Sequence, residues 1–454
     1  MSLASLTRDL AGLRLITDPE LLVPYGHDES PAEPCPPLAV VEATSADDVV
    51  RAVQWAAKNG VRVTPRGAGS GQSGGCIPEE NGLVISLTRM NHIRSIEPGD
   101  LLGVVEPGVI TADYQAATES QGLFYPPDPA SLAYCTLGGN VAENAGGPRA
   151  LKYGVTRDYV LGLEVVLMNG ERVRMGRRTV KGVAGYDVTA LLVGSEGTLG
   201  IVTEITTRLV PLPPRVATAL AFFASTEDAA QAVVRIIGAG IVPRTLEYID
   251  AASVAAVRPR AEIPIPPAAA AALLIEVDGA REEELLTDMA RIDAECRAAG
   301  AGDVQVAAGE RQRNQLWSAR RMLSPALKET YKFKVAEDAV VPRTQLPALV
   351  RFFAALGKEI GVDTATFGHA GDGNLHLNFL FNRAEQRADV DAAVEKLFRE
   401  TVRLGGTITG EHGVGLTKKA YLGLEQGPAL RAMQKALKAA LDPAGLLNPS
   451  KIFP

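Results

Sequence analysis

Pro65-Arg-Gly-Ala-Gly-Ser-Gly-Gln-Ser-Gly-Gly75 places five glycines in eleven positions, directly after the apolar run Val61 to Thr64, which reads as a short strand. Glycine tolerates positive φ, so successive backbone N–H groups in such a loop can converge on an anion, and a pyrophosphate suits them. Upstream, Ser45 reads as an N-cap with Asp47 and Asp48 in the first helical turn, where the helix dipole favours them. Val49, Val50, Val53, Ala56 and Ala57 recur at helical spacing, and Gly60 is placed to stop the helix. Gly69, Gly71 and Gly74 formally match G-x-G-x-x-G, but that fingerprint must open a helix, and here Cys76-Ile-Pro78 follows. A nicotinamide-binding Rossmann site is therefore disfavoured, and an ordinary surface loop is the plainer alternative.

Two more glycine-dense stretches weigh against that plainer reading: Leu137-Gly-Gly-Asn-Val-Ala-Glu-Asn-Ala-Gly-Gly147, followed by Pro148 to Gly154, and Val193-Gly-Ser-Glu-Gly-Thr-Leu-Gly200. Several backbone-donating loops carrying Asn and Ser suit a large phosphate-bearing cofactor. Strand-like runs at Leu38 to Val41, Leu83 to Leu87, Leu101 to Val105, Val160 to Met168 and Gly200 to Arg208 alternate with helical segments, an α+β pattern. Consecutive prolines in Val210-Pro-Leu-Pro-Pro-Arg215 mark a seam. Beyond it, Glu227 to Gly238 and Arg281 to Ala299 read as helices and Leu273 to Val277 as a strand, a second α+β unit. The expected division is 1–213, 214–400 as a substrate (cap) domain, and a helical segment 401–454 that packs back on the first domain.

With 454 residues the chain is too long for one core. Its 46 basic against 53 acidic residues leave a formal charge of −7, which argues against nucleic acid as a partner, because that binding needs basic stripes. A small anionic substrate held by a few basic groups remains open. Cys35, Cys76, Cys135 and Cys296 form no Cys-x-x-Cys pair, so neither a disulfide framework nor an iron–sulfur cluster on this chain is expected. Charges interrupt the N-terminal apolar residues, and no run approaches the roughly 20 apolar residues of a membrane span. The expected location is cytoplasmic, peripheral to the inner membrane only through a partner.

Chemistry-bearing residues gather near the C-terminus. In Gly368-His-Ala-Gly-Asp-Gly-Asn-Leu-His-Leu-Asn378, Gly371-Asp-Gly373 is a turn signal, so His369 leads into a turn and His376 starts the next strand. Period-two alternation puts His376 and Asn378 on one face and Leu377, Phe379 and Phe381 in the core. In Thr407-Ile-Thr-Gly-Glu-His-Gly-Val-Gly415, Glu411 can supply an anionic third ligand, and His412 is a base beside it. Two imidazoles and a carboxylate suit Zn²⁺ or a neighbouring divalent ion such as Mn²⁺ or Fe²⁺, with positions open for substrate oxygen. A lone histidine is more often structural. Three of the chain's five, set among glycine turns with Asp, Asn and Glu, are not so easily dismissed.

Three stretches together, Pro65 to Gly75, Leu137 to Gly154, and Lys181-Gly-Val-Ala-Gly-Tyr-Asp187 running on to Gly200, resemble the FAD domain of the vanillyl-alcohol oxidase/p-cresol methylhydroxylase class. With the C-terminal motifs, the resemblance is to its branch of glycolate oxidase flavin subunits, D-lactate dehydrogenases and D-2-hydroxyglutarate dehydrogenases. It implies a two-subdomain FAD-binding domain, an α+β cap domain and a C-terminal segment returning to the flavin. It also implies that Pro65, Arg66, Gly67, Ala68, Gly69 and Ser70 line the FAD pyrophosphate. Pro127, Asp128, Gly138, Gly139, Asn144, Gly146 and Gly147 would lie along the flavin, and Glu196, Gly200, Ile201 and Val202 near its adenine-diphosphate half. Ser70 stands where covalent members carry a tethering His, so FAD is expected without a covalent link.

The same resemblance makes His369, His376 and Glu411 metal ligands, His412 the base, and Asn378 a substrate contact. Arg320 in Trp317-Ser-Ala-Arg320 and Lys334 in Tyr331-Lys-Phe-Lys334 match residues that hold the substrate carboxylate. Without the resemblance, these basic groups read equally well as a solvated face. Asn448 in Leu447-Asn-Pro-Ser-Lys451 matches an Asn near the flavin, although Ser450 replaces the family's Gly. The implied reaction is oxidation of a small D-2-hydroxy acid to the 2-oxo acid, with metal-assisted deprotonation by His412 and hydride transfer to flavin N5. A homodimer is expected. A quinone, cytochrome, electron-transferring flavoprotein or iron–sulfur subunit would accept the electrons. An O₂-using oxidase of the same fold and a flavin-bearing subunit of a larger complex are the alternatives.

Overall fold

The computed structural model describes residues 3–454, which fall into two compact units. The first comprises Met1–Gly147, Gly154–Leu212 and Glu411–Pro454, and the second Pro148–Tyr153 and Pro213–Gly410.

The first unit is built on two sheets. One has four strands in the order Leu15–Ile16, Ala39–Glu42, Leu83–Ser86, Val63–Arg66, and the last three are parallel. Parallel neighbours need a crossover, and the helix Ala46–Asn59 provides it. Ser45 caps it by accepting from the Asp48 N–H, and Gly60 ends it in the left-handed region at φ 65°. Its Val49, Ala52, Val53, Trp55 and Ala56 pack against Val41, Val63 and Ile85 in one core. The glycine loop after Arg66 thus leaves the carboxyl end of a parallel strand, where ligands of open α/β sheets bind. The second sheet is antiparallel, in the order Ile93–Glu97, Leu102–Val105, Ile201–Arg208, Val160–Val166, Arg172–Gly176.

The C-terminal part of this unit is fixed by polar contacts. Lys438, on the helix Pro428–Leu441, donates to the carbonyls of Thr198 and Leu447, each at 2.7 Å. Leu447 pairs with Val63 beside the four-stranded sheet.

The second unit opens at the proline seam, and its sheet has seven antiparallel strands. Their order is Ala301–Val306, Arg215–Phe223, Ala271–Gly279, Thr245–Ile249, Asp363–Gly368, Asn374–Phe381, Phe333–Val340. On one face, helices Ala251–Val257, Glu310–Arg321 and Leu323–Thr330 share a core with Leu220, Phe222, Ile249, Leu274, Phe367 and Leu380. Helices Thr226–Gly238, Glu282–Ala298 and Leu346–Ile360 also pack on the sheet.

This unit extends past residue 400 to Gly410, because Thr407 bridges to Val340 at the sheet edge. It also takes in Pro148–Tyr153. There the Lys152 ammonium donates to the carboxylate and carbonyl of Asp278, and the Tyr153 hydroxyl donates to the same carboxylate at 2.8 Å.

Candidate active site

The two histidine positions follow from strand pairing. Asp363–Gly368 and Asn374–Phe381 are antiparallel neighbours with Phe367 opposite His376. Between them the His369 carbonyl accepts the N–H groups of Asp372 at 3.2 Å and Asn374 at 3.1 Å, closing the turn that Gly371-Asp-Gly373 signals. The chain therefore doubles back at His369, and the two imidazoles stand 5.2 Å apart between centroids at 85°. Leu377, Phe379 and Phe381 are buried on the opposite face, as the alternation requires. Asn378 is itself fully buried, with Nδ2 donating to the Ala365 and His376 carbonyls, each at 3.0 Å. Its Oδ1 has no protein partner, so one acceptor is all it can offer a ligand.

The position of the third group is prepared from the next strand of the sheet. Asp338 lies directly across from His376 and is fully buried. It accepts the Gly410 N–H at 2.6 Å and the Thr409 hydroxyl at 3.1 Å. Gly410 must be glycine, because a Cβ there would stand 2.6 Å from the Asn374 amide and the Val340 side chain. The last residue of the second unit is thereby pinned beside the His376 strand, and Glu411 follows it directly. One ligand atom each of His369, His376 and Glu411 lies within 4.8 Å of the other two. Tetrahedral bonds of about 2.0–2.2 Å place ligand atoms about 3.3–3.6 Å apart around one ion, so the group would close by about 1 Å to seat it.

A residue that motif reading missed lies beneath this group. Glu247, on the strand Thr245–Ile249, is fully buried and takes His369 Nδ1 at 2.5 Å and Arg320 Nε at 2.7 Å. Burial alone would raise its carboxyl, but the charges of His369 and Arg320 and their hydrogen bonds hold it down at about 2. The Arg320 guanidinium stacks 4.9 Å over the Phe367 ring, and that ring lies 5.8 Å from the His376 ring. Arg320 is thus one of the site's side chains and not part of a solvated face.

Lys334 is farther along. It sits opposite Leu380, four residues from Asp338 and so about 13 Å along its strand. Its Nζ bonds the Ser324 hydroxyl at 2.9 Å, and burial, helped by Lys328, lowers its amine to about 8.

Within the first unit the glycine loops converge. A Cβ on Gly67 would strike the Thr136 hydroxyl, one on Gly138 the Pro107 ring, and one on Gly197 the Pro65 ring. Gly147, at φ 151°, lies so close to the Asp128 backbone that only glycine fits. Asn448, buried, donates Nδ2 to the carbonyls of Gly75 and Glu196 at 2.8 and 2.9 Å, tying three motifs together. Among the described residues, the N–H groups of Gly67, Ala68, Gly69, Ser70 and Gly71 meet no protein acceptor. Five consecutive amides open to a ligand are what a diphosphate needs.

The cofactor-loop side chains divide differently. The Arg66 guanidinium lies against the loop, where a Cβ on Gly69 would strike it, and donates to the carbonyls of His27 and Pro24 at 2.8 and 3.0 Å. Pro127 accepts a bond from Gln115, and Asn144 ends the helix Leu137–Glu143 in the left-handed region while its Oδ1 accepts the Arg157 N–H. Gly139 lies in that helix, and Gly146 packs against Glu411. Gly200 leads into Ile201 and Val202, which are buried and paired with Val166 and Val165.

The Glu196 carboxylate is engaged by the N–H groups of Val414 and Gly415 at 2.8 and 2.6 Å, which holds the loop carrying His412. In that loop Gly413, at φ 83°, has no room for a Cβ because Glu143 Oε2 fills the space.

Comparison with known proteins follows the same division. Residues 37–176 match the family described as "FAD binding domain", and residues 212–452 match "FAD linked oxidases, C-terminal domain". The chain is 44% identical to a Bacillus subtilis (strain 168) protein named glycolate oxidase subunit GlcD, over 94% of this chain and 92% of that one. It is 34% identical to a D-lactate dehydrogenase of Anaerostipes hadrus, over 98% of this chain and 96% of that one. Among solved structures, p-cresol methylhydroxylase with substrate bound superposes with a TM-score of 0.77 at 17% identity, covering 99% and 97% of the two chains. This likeness concerns the fold.

Asp338→Ala should leave the Gly410 N–H without its acceptor, costing about 1–3 kcal/mol in denaturant unfolding. Unfolding at the wild-type denaturant midpoint would contradict the role given to Asp338.

Proposed function

The chain belongs to the FAD-linked oxidases, and on that premise we propose that it oxidises a small D-2-hydroxy acid of the glycolate, D-lactate or D-2-hydroxyglutarate type to the 2-oxo acid. It is an FAD-linked oxidoreductase, and the finer reading rests on one observation. The ligand atoms of His369, His376 and Glu411 come together in a chain that also matches an FAD-binding domain.

FAD, held without a covalent link, would lie on the amides of residues 67–71 and along Pro65, Arg66, Asp128, Gly138, Gly139, Gly146, Gly147, Glu196, Gly200 and Asn448. A divalent ion, Zn²⁺ with Mn²⁺ or Fe²⁺ as alternatives, would be held by the two histidines and Glu411. When bound, FAD supplies the hydride acceptor and the ion a Lewis acid. The protein's own part is binding and proton transfer. Arg320, whose guanidinium keeps Nη groups beyond its Glu247 contact, would take the substrate carboxylate, joined by Lys334. His412 would accept the hydroxyl proton, since imidazole is a competent base near neutral pH. Asn378 would offer Oδ1.

The word "subunit" in the name of the Bacillus subtilis relative favours a second, compatible reading in which the chain passes electrons to a partner protein carrying an iron–sulfur centre or cytochrome. No helix among the described residues is long and apolar enough to cross a membrane. If the partner is instead O₂, the reduced flavin should reoxidise within the turnover time in air.

Anaerobic titration with D- and L-2-hydroxy acids, with and without added zinc or manganese, tests the reading. Bleaching of the flavin by glycolate or a D-acid and not by L-acids is expected, and a flavin that no D-acid reduces would overturn it. His412→Ala should keep its FAD yet reduce it about 10²–10⁴-fold more slowly; reduction at the wild-type rate would remove His412 from the chemistry.

Lys334 supplies a pH test. Its amine is charged below about 8 and neutral above, so KM for the acid should rise as pH climbs through that value while kcat changes less. In Lys334→Arg the rise should move to higher pH, and an unmoved profile would exclude Lys334 from carboxylate binding.

A further inference from the structure

Glu247 is a lone carboxylate on an otherwise apolar stretch of strand, and its two oxygens serve two different functional groups. Oε1 meets His369 Nδ1 at 2.5 Å, and Oε2 accepts from Arg320 Nε at 2.7 Å. The helix bearing Arg320 is fastened to the sheet at a second point three residues earlier, where Trp317 Nε1 donates to Glu276 at 2.8 Å. Residues three apart lie on one helix face, so the two contacts together fix the rotation of the helix about its axis. Phe367, against both Arg320 and His376, closes the arrangement from the side.

Resting on the metal-assisted reading above, we propose that Glu247 is a positioning residue that locks the metal ligand His369 and the carboxylate-binding Arg320 into one frame. An imidazole that ligates through Nε2 must carry its proton on Nδ1, and Glu247 is the acceptor that fixes this tautomer and the ring plane. The same carboxylate holds the Nε edge of Arg320, which turns the remaining N–H groups of the guanidinium toward a second carboxylate. The distance between the ion and the substrate carboxylate is therefore set by one buried side chain. No exposed surface lets water replace it.

Glu247→Gln separates this role from simpler ones. A glutamine has one acceptor oxygen, while His369 Nδ1–H and Arg320 Nε–H are both donors, so its NH₂ must face one of them. Two readouts other than turnover are needed on FAD-loaded protein: zinc affinity by chelator competition without substrate, and binding of pyruvate to metal-free protein by the change in flavin absorbance. Glu247→Gln should weaken zinc by about 10–100-fold and pyruvate by about tenfold, with FAD content unchanged. Glu247→Asp, which keeps both acceptors one methylene further back, should restore both in part and together, and it carries the test if the Gln variant does not fold. Loss of only one affinity, or of neither, would overturn the proposal. A wild-type chain that takes up no zinc, manganese or iron(II) would instead overturn the metal reading itself. The pyruvate measurement, made on metal-free protein, tells the two failures apart.

Discussion

Converging acceptors are the constraint on which the site depends. Imidazole lone pairs and a carboxylate repel one another when brought within 4.8 Å, unless protons or a cation lie between them. The fold nevertheless holds them there with ordinary backbone geometry: a hairpin returns His369 to His376, and Asp338 on the neighbouring strand pins the chain just before Glu411. A divalent ion would supply the positive charge such an arrangement calls for, in a chain that also matches an FAD-binding domain.

The supporting charges follow the same logic. Glu247 is tolerable in the core only because His369 and Arg320 both donate to it, and Asp278 only because Lys152, Tyr153 and Arg244 surround it. Buried carboxylates of this kind contribute less to net stability than to orientation, since desolvation offsets most of the Coulomb gain. In the first unit, by contrast, orientation comes from glycine. Loops pack so closely at Gly67, Gly138 and Gly147 that side chains are excluded, and five amides are left without a protein acceptor.

Much of this was legible in the sequence, for local reasons. Caps, glycine stops and alternation are encoded within a few residues, so the helix Ala46–Asn59 and the strands Leu83–Ser86, Leu102–Val105 and Ile201–Arg208 lie within two residues of their expected ends. The meeting of His369 and His376 could be read because a turn and a strand period suffice to bring them together, whereas Glu411 follows a glycine held by Asp338, 72 residues away. Glu247 could not be read. It is a single acid in Thr-Leu-Glu-Tyr-Ile, and its partners lie 73 and 122 residues away. The side chains of Arg66 and Glu196 illustrate the converse: their loops were recognisable, but long-range contacts direct the guanidinium to Pro24 and His27 and the carboxylate to Val414 and Gly415. For the same reason nothing local marked Pro148–Tyr153 as part of the second unit, since its anchor is Asp278.

Zinc-edge X-ray absorption on the FAD-loaded protein tests the central claim most directly. One ion per chain should be found, bound by two imidazole nitrogens and carboxylate oxygen with no sulfur, and the two-imidazole signal should disappear in His376→Ala. An ion bound through sulfur, or no ion in a preparation whose flavin a D-2-hydroxy acid still reduces, would contradict it.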